Sequence, residues 1–320
     1  MRRLGLGVVV ALLVIAAAAV GLRIVRRDEE KEFRWTALGD SYSSGLGEIA
    51  HPLECARDVE ASYVGRAAAI LRAKSYRISL DFAPCSNASM DDVFAAQSAA
   101  VAPQIDNVDP TVKVVTLTIG GDDIGFGSVV SSCLVQHLAS QLSNLLGAGV
   151  RECVVDADNP GNRGGEPGGW TGIEDELVKV MDAVVAKMSP KGRLFVLTYP
   201  LVFADPSLWS GSSCAGFTVD NAHAFNLGVI RMGDAIDRAV RRANKSATRV
   251  QLVDWREQKS ESDVWARHGL CGSDTPWVHG LRTLEPGGLS VSPGNSFHPT
   301  AAGYSAAADL LAKSIASALK

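Results

Sequence analysis

A serine near the start of the chain and a histidine near its end have neighbours that suit nucleophilic catalysis. Ser41 lies in the segment ALGDSYSSGLG, directly after a short apolar run, and a glycine-rich turn follows it. A serine at the carboxyl end of a strand exposes its hydroxyl, and its backbone N–H and nearby turn amides can face an oxyanion. His298 lies in SFHPTAAGY, where an imidazole could take the serine proton and return it to a leaving group. Both segments are also typical of plain turns and helix caps.

The elements that must position these two residues alternate between strand-like and helix-like segments. Strands are predicted at 35–38, 76–82, 112–119, 193–199 and 250–253, and helices at 61–73, 90–101, 173–188, 219–243 and 300–318. The apolar, β-branched run at 112–119 fits a strand that is covered on both faces. The alternation predicts an α/β fold with a parallel sheet between two helical layers, whose ligands bind beyond the carboxyl ends of the strands.

The first 33 residues are expected to form a membrane anchor or signal segment and its connector, followed by one catalytic domain at 34–320. An uncharged apolar run occupies 4–22, with arginines on both sides. Its length favours an uncleaved transmembrane helix, whereas the small residues at 16–19 keep cleavage as a signal peptide open. We therefore expect an extracytoplasmic protein that either contacts the membrane through its N-terminal helix or is secreted.

Charge and cysteine usage narrow the classes of partner and compartment. The formal net charge is −4, with acidic and basic residues spread along the chain, which argues against a nucleic-acid partner. Six cysteines follow the apolar run and none forms a CxxC pair, so disulfides in an oxidising compartment are favoured over metal or redox sites. Six cysteines allow 15 connectivities. Pairing of sequence neighbours is our hypothesis, namely Cys55–Cys85, Cys133–Cys153 and Cys214–Cys271, with six unpaired buried thiols as the alternative.

Several ordered segments together resemble the SGNH, or GDSL-type, hydrolase superfamily. The family's first block, GDSxxxG, is matched by Gly39, Asp40, Ser41 and Gly45. The segments APCSNAS at 83–89, TIGGDDIGFG with its core at 120–126, and SFHPTAAGY are similar to the second, third and fifth blocks. The PWVHG segment at 276–280 and the six cysteines are similar to secreted actinobacterial members with three disulfides. The resemblance covers about residues 34–318.

This resemblance implies a fold, a reaction and a set of site residues. The fold is a three-layer α/β/α sandwich with a mainly parallel, flavodoxin-like central sheet. The reaction is hydrolysis of a small-molecule or lipid ester through an acyl-enzyme on Ser41, with His298 as general base. No cofactor or metal is implied, and a monomer is expected. Gly121 and His279 are expected to contact substrate.

Two positions of the implied oxyanion hole depart from the family pattern. Ser41 supplies one backbone amide, and Asn87 stands where a glycine normally supplies another; the backbone N–H survives this change if the loop tolerates the side chain. Asp122 replaces an asparagine whose side-chain amide donates to the oxyanion. An ionised Asp122 would repel that charge, whereas the adjacent Asp123 and partial burial would raise the pKa of Asp122 and leave it a donor. We therefore expect activity to fall above neutral pH and Asp122→Asn to broaden the pH profile.

The third departure concerns the partner of the histidine. Asn295 occupies the position of the family's catalytic aspartate, three residues before His298. Its side-chain oxygen, or a backbone carbonyl, could accept the Nδ1 proton and hold the ring in its useful tautomer, which would give a serine–histidine dyad. Asp274, in the loop upstream, is the alternative acid.

Other functions compete with ester hydrolysis. A metal-dependent phosphoesterase could use Asp40, Asp122, Asp123 and His298 as ligands, although such sites usually draw on several histidines in tight motifs. A catalytically weak domain of the same fold could instead bind acyl chains or glycans, and the main support for that alternative is Asp122. Acyl transfer to a sugar is a variant of the enzyme hypothesis. An α/β-hydrolase nucleophile elbow is disfavoured because GxSxG is absent around Ser41.

Overall fold

The computed structural model describes residues 31–48, 54–125, 169–211, 213–214, 217–245, 248–256, 267–280 and 296–319. The expected N-terminal membrane segment, the expected Cys133–Cys153 pair and Asn295 lie outside these ranges. Among the helices within them, none is long and apolar enough to cross a bilayer.

A five-stranded parallel sheet forms the centre of the molecule. The described residues form seven strands in two sheets. They are β1 (Glu32–Gly39), β2 (Arg77–Phe82), β3 (Val112–Thr118), β4 (Arg193–Leu197), β5 (Ser213–Cys214), β6 (Phe217–Thr218) and β7 (Val250–Val253). The sheet order is β2-β1-β3-β4-β7, and β5 and β6 form a separate antiparallel pair. This is the flavodoxin-like order, which reverses direction between β1 and β3 and so opens a ligand site at their carboxyl ends.

Helices cover the two faces of the sheet and complete the predicted three-layer sandwich. They are α1 (Ser41–Ser44), α2 (Tyr63–Ala73), α3 (Gly169–Lys187), α4 (Val219–Ala243) and α5 (Ala301–Ala318). Helix α2 packs against α5, and α3 packs against α4. Ser62, Thr218 and Thr300 begin α2, α4 and α5 with a hydroxyl that accepts a backbone N–H three residues on. Such caps typically contribute about 1 kcal/mol each and fix where the helix begins.

The two central strands β1 and β3 are held in register by apolar packing and by buried polar pairs. Trp35 is fully buried, and its indole N–H donates to the Thr116 hydroxyl at 3.0 Å. Gln104 binds the end of β1 twice: its side-chain oxygen accepts from the Gly39 amide at 2.7 Å, and its side-chain amide donates to the Gly39 carbonyl at 2.9 Å. A buried polar group left without such partners would cost about 1–3 kcal/mol. The end of β1 is therefore rigid.

The helix predicted at 90–101 is wrong. Only Asp91–Val93 forms a short 3-10 turn there. The side chain of Asp92 accepts from both the amide and the hydroxyl of Ser89, and the Gln97 side chain donates to the Ser86 carbonyl. These local side-chain bonds compete with helical backbone bonds and keep the segment irregular. The other predicted helices and strands are present, with bounds that shift by up to four residues.

Candidate active site

Ser41 emerges where β1 turns into α1. Gly39 ends the strand with φ +132°, and a Cβ there would lie 2.3 Å from the Thr118 carbonyl oxygen of β3. Only glycine fits this close approach. Asp40 then caps α1 through a side-chain oxygen that accepts from the Tyr42 amide at 3.0 Å. The turn therefore places Ser41 as the first helical residue, at the carboxyl end of the central strands.

Ser41 and His298, 257 positions apart in the chain, form a hydrogen-bonded pair. The Ser41 Oγ lies 2.8 Å from Nε2 of His298, and Nδ1 of the same ring lies 3.0 Å from the Ser296 carbonyl oxygen. A carbonyl oxygen carries no proton, so Nδ1 must donate, which leaves Nε2 as the acceptor of the serine proton. Ser41 is 9% exposed and His298 is 7% exposed, so the pair is largely shielded from bulk water.

Burial sets the protonation state of the imidazole. It lowers the pKa of His298 to about 4, the Ser296 hydrogen bond raises the pKa in part, and nearby His279 lowers it further. His298 is therefore neutral at neutral pH and able to accept a proton. Asp274, the alternative acid, lies instead 3.3 Å from Arg267 and 3.8 Å from His268.

A strained turn presents the Ser296 carbonyl to the ring. Phe297 has φ +60° and is fully buried. A bulky residue in this left-handed region costs about 1–3 kcal/mol and persists only where its surroundings impose it. Here the Phe297 amide donates to the His279 carbonyl at 3.0 Å, and its own carbonyl accepts from the Tyr42 hydroxyl at 2.6 Å. The ring of Tyr42 also lies 4.9 Å from the His298 ring, centroid to centroid.

His279, expected to contact substrate, lies on the segment beside the base. Its amide donates to the His298 carbonyl at 2.8 Å, and its ring Nε2 lies 2.7 Å from a carboxylate oxygen of Glu48. Gly47, with φ +111°, allows the turn after α1 to approach: a Cβ there would lie 2.9 Å from the Cβ of His298. The Glu48–His279 pair thus joins the turn after Ser41 to the loop of His298.

Two backbone amides near the nucleophile are available to an oxyanion. Within the described part of the chain, neither the Ser41 nor the Asn87 amide donates to an acceptor. Asn87 has φ +62°, a left-handed conformation that asparagine adopts more readily than most residues, so the loop accommodates this side chain and keeps the backbone N–H. The disulfide Cys55–Cys85 and a 3.0 Å bond from the Cys85 amide to the Gly39 carbonyl fix this loop against β1.

A second expected disulfide, Cys214–Cys271, is also present. It joins β5 to the segment that runs on to His279. Both disulfides therefore tie loops that flank the carboxyl end of the sheet, on the side of Ser41.

The loop after β3 (119–125), which we call the third loop, is joined to the turn of Ser41 by Tyr199, a residue just after β4 that the sequence analysis did not identify. Its hydroxyl accepts from the Gly121 amide at 2.8 Å and donates to the carboxylate of Asp40. Gly121, expected to contact substrate, therefore gives its amide to Tyr199, and a Cβ on Gly121 would lie 3.2 Å from the tyrosine ring. The predicted strand at 193–199 included Tyr199, whereas the observed strand ends at Leu197, so the rule that site residues follow strands did not reveal this residue.

Asp40 is fully buried between these groups. Burial raises the pKa of Asp40 well above its usual range, the charge of Asp122 raises it further, and the bonds from Tyr199 and the Tyr42 amide act in the opposite direction. The charge of Asp122 is therefore felt at Asp40, the residue that precedes Ser41. Asp123 faces the loop after β2, where its carboxylate accepts from the Met90 amide at 3.1 Å.

Three of the four residues considered as metal ligands have other partners. Asp40 binds Tyr199 and α1, Asp123 binds Met90, and His298 uses its two ring nitrogens for Ser41 and Ser296. No group of three His, Cys, Asp or Glu side chains within the described ranges could hold a metal ion.

Comparisons with known proteins find similar sequences. A family model described as "GDSL-like Lipase/Acylhydrolase family" matches residues 37–306. Lipase 1 of Streptomyces coelicolor is 28% identical over 274 residues, 85% of this chain and 82% of the relative. Lipase 2 of the same organism is 30% identical over 285 residues, 84% of this chain and 81% of the relative.

Solved structures match in fold. The crystal structure of an extracellular lipase from Streptomyces rimosus aligns with a TM-score of 0.60 at 23% identity, over 89% of this chain and 99% of that one. Phospholipase A1 from Streptomyces albidoflavus aligns with a TM-score of 0.60 at 24% identity, over 88% of this chain and 98% of that one.

Proposed function

Since the chain belongs to the GDSL-like lipase/acylhydrolase family, we propose that it hydrolyses carboxylic esters outside the cytoplasm through an acyl-enzyme on Ser41. The observation that carries this proposal is the 2.8 Å contact between the Ser41 hydroxyl and Nε2 of a neutral, buried His298. Such a pair activates a serine that is otherwise a weak nucleophile.

In the acylation step, the Ser41 oxygen attacks the ester carbonyl carbon while its proton passes to Nε2 of His298. The ring becomes an imidazolium whose Nδ1–H stays on the Ser296 carbonyl. Collapse of the tetrahedral intermediate breaks the bond to the leaving oxygen, which takes the Nε2 proton and departs as an alcohol. General base and acid catalysis of this kind contributes about 100- to 10,000-fold.

Deacylation repeats these transfers with water. A water molecule gives a proton to Nε2 and attacks the acyl carbon, and the intermediate then expels the Ser41 oxygen, which recovers the proton. The products are the free acid and the resting enzyme. In this mechanism the Ser41 and Asn87 amides donate to the oxyanion in both steps, and Asp122 is the third proposed member of the oxyanion hole.

The ester is a lipid or another acylated small molecule. The Streptomyces relatives that match over most of this chain are named lipases, which supports a lipid ester. Two observations support a location outside the cytoplasm. The disulfides Cys55–Cys85 and Cys214–Cys271 are typical of an oxidising compartment. The apolar run at 4–22 suits a signal segment, or an anchor that holds the domain outside the membrane.

The test combines ester hydrolysis with active-site labelling. Wild type should cleave p-nitrophenyl acetate and butyrate and react with a fluorophosphonate at Ser41. Ser41→Ala should lose labelling and at least roughly 1,000-fold in kcat, and His298→Ala a similar factor, whereas Ser305→Ala on α5 should stay within about twofold. Labelling that persists in Ser41→Ala would overturn the assigned nucleophile. A wild type that binds acyl ligands without labelling or turnover would overturn the enzyme assignment.

A further inference from the structure

Tyr42 contacts both halves of the candidate dyad. It follows Ser41 directly on α1, and its amide is held by the Asp40 side chain at 3.0 Å. Its hydroxyl donates to the Phe297 carbonyl at 2.6 Å, and its ring lies 4.9 Å from the His298 ring at a 39° tilt. One buried side chain thus spans from the nucleophile's helix to the loop of the base.

The Phe297 peptide is the element that this hydroxyl restrains. With φ +60° at Phe297, the preceding carbonyl, that of Ser296, turns back toward Nδ1 of His298 at 3.0 Å. In an extended conformation, which a phenylalanine prefers, that carbonyl would leave the ring. The position of the acceptor therefore depends on whatever holds Phe297 in the left-handed region.

Three contacts restrain Phe297 in its left-handed conformation. The Phe297 ring packs within an aromatic cluster, with centroids 6.0 Å from Phe203, 5.6 Å from Phe217 and 6.0 Å from Phe225. The Phe297 amide is held by the loop of His279 at 3.0 Å. The Tyr42 hydroxyl holds the carbonyl, and among these three it is the restraint that comes from the nucleophile's own helix.

We propose that Tyr42 is a positioning residue that couples nucleophile to base: its hydroxyl fixes the Phe297 peptide so that the Ser296 carbonyl takes the place of the missing carboxylate behind His298. The proposal rests on the proposed function of Ser41 and His298. It explains why a neutral acceptor is enough, because an acceptor without charge orients the ring only if its own position is fixed.

The variant Tyr42→Phe tests this by removing one hydroxyl and keeping the ring. Its kcat for p-nitrophenyl butyrate and its rate of fluorophosphonate labelling should both fall by about tenfold to 100-fold, with KM nearly unchanged. The matched control is Tyr304→Phe, which removes an equally buried hydroxyl that donates to the Leu46 carbonyl at 2.7 Å. It should lower the unfolding midpoint comparably and keep labelling within about twofold of wild type.

Two outcomes would overturn the coupling and leave the proposed function standing: labelling of Tyr42→Phe at the wild-type rate, or an equal loss in Tyr304→Phe, while Ser41→Ala remains unlabelled. A labelled Ser41→Ala would instead reject the dyad itself. A second measurement needs no variant. In wild type phosphonylated at Ser41, proton NMR should show a deshielded His298 Nδ1–H and a slowly exchanging Tyr42 hydroxyl proton, and fast exchange of that hydroxyl would contradict the proposal.

Discussion

The Ser296 carbonyl oxygen lies 3.0 Å from Nδ1 of His298, where a serine hydrolase triad has a carboxylate. A carbonyl fixes the tautomer as a carboxylate does, but it gives much less electrostatic stabilisation to the imidazolium that forms during turnover. Consistent with this, burial dominates and lowers the pKa of His298 to about 4.

The pH dependence of turnover should report that pKa. His298 acts as a base only when neutral. We therefore expect kcat/KM for an uncharged ester to stay constant as pH falls through 6.5 and to reach half its maximum at about pH 4. Initial rates with p-nitrophenyl acetate in buffers of constant ionic strength would measure this profile. If kcat/KM instead fell to half its value near pH 6.5, the ordinary pKa of histidine, the imidazole would have to be solvated or paired with an acid.

Stability should depend on pH through the same group. Because the folded-state pKa lies below the unfolded value of 6.5, the unfolded chain binds the proton first, and stability is lost as pH falls from about 6.5 to 4. The loss attributable to His298 is roughly 3 kcal/mol at the low end of that window. Urea unfolding of wild type and His298→Gln across it should give a flatter curve for the variant. Parallel curves would contradict the lowered pKa.

Removing the Tyr199 hydroxyl should loosen the link between the nucleophile's turn and the third loop. Tyr199→Phe deprives both the Asp40 carboxyl and the Gly121 amide of a buried partner. We expect a loss of about 1–3 kcal/mol in the free energy of unfolding, together with a lower kcat. Tyr76→Phe, near the start of β2, is the control and should change neither quantity. Unchanged stability in Tyr199→Phe would mean that Asp40 finds another donor.

Restoring an amide at position 122 should raise activity above neutral pH. Asp122→Asn gives the oxyanion a neutral donor and removes a charge that raises the pKa of Asp40. Since one oxyanion-hole donor is worth about 100- to 1,000-fold in kcat, a gain of at least roughly tenfold at pH 8 is expected, with a broader pH profile. The control Asp123→Asn changes a carboxylate that faces the Met90 amide and should give no such gain. A slower Asp122→Asn would show that the carboxyl group itself serves catalysis.

The sheet and its helices were predictable because their signals are local. The helix at 219–243 and the strand at 250–253 match the predicted bounds to the residue, since a hydroxyl cap begins the helix and an apolar, β-branched run marks the strand. The segment at 90–101 has helical spacing too, but Ser89, Asp92 and Gln97 bind the local backbone instead. The spacing of apolar residues carries no information about these side-chain bonds, which compete with the backbone bonds of a helix.

The two residues of the proposed dyad could be chosen from the sequence, and the residues that support them could not. Ser41 and His298 follow from motif and chain order. The Ser296 acceptor depends on a left-handed phenylalanine, which no propensity favours and only tertiary contacts impose. Tyr199 resembles an apolar core residue at a strand end, and its role appears only once β4 lies beside β3 and Gly121 comes within reach.

An acceptor that belongs to the main chain has a genetic consequence. Any amino acid placed at position 296 brings a carbonyl with it, so no single codon change there can delete the group behind His298, whereas a triad loses its carboxylate in one step. The position that is sensitive to substitution is instead Phe297, because its left-handed conformation directs the Ser296 carbonyl toward His298. Substitutions that abolish activity should therefore be more frequent at Phe297 than at Ser296.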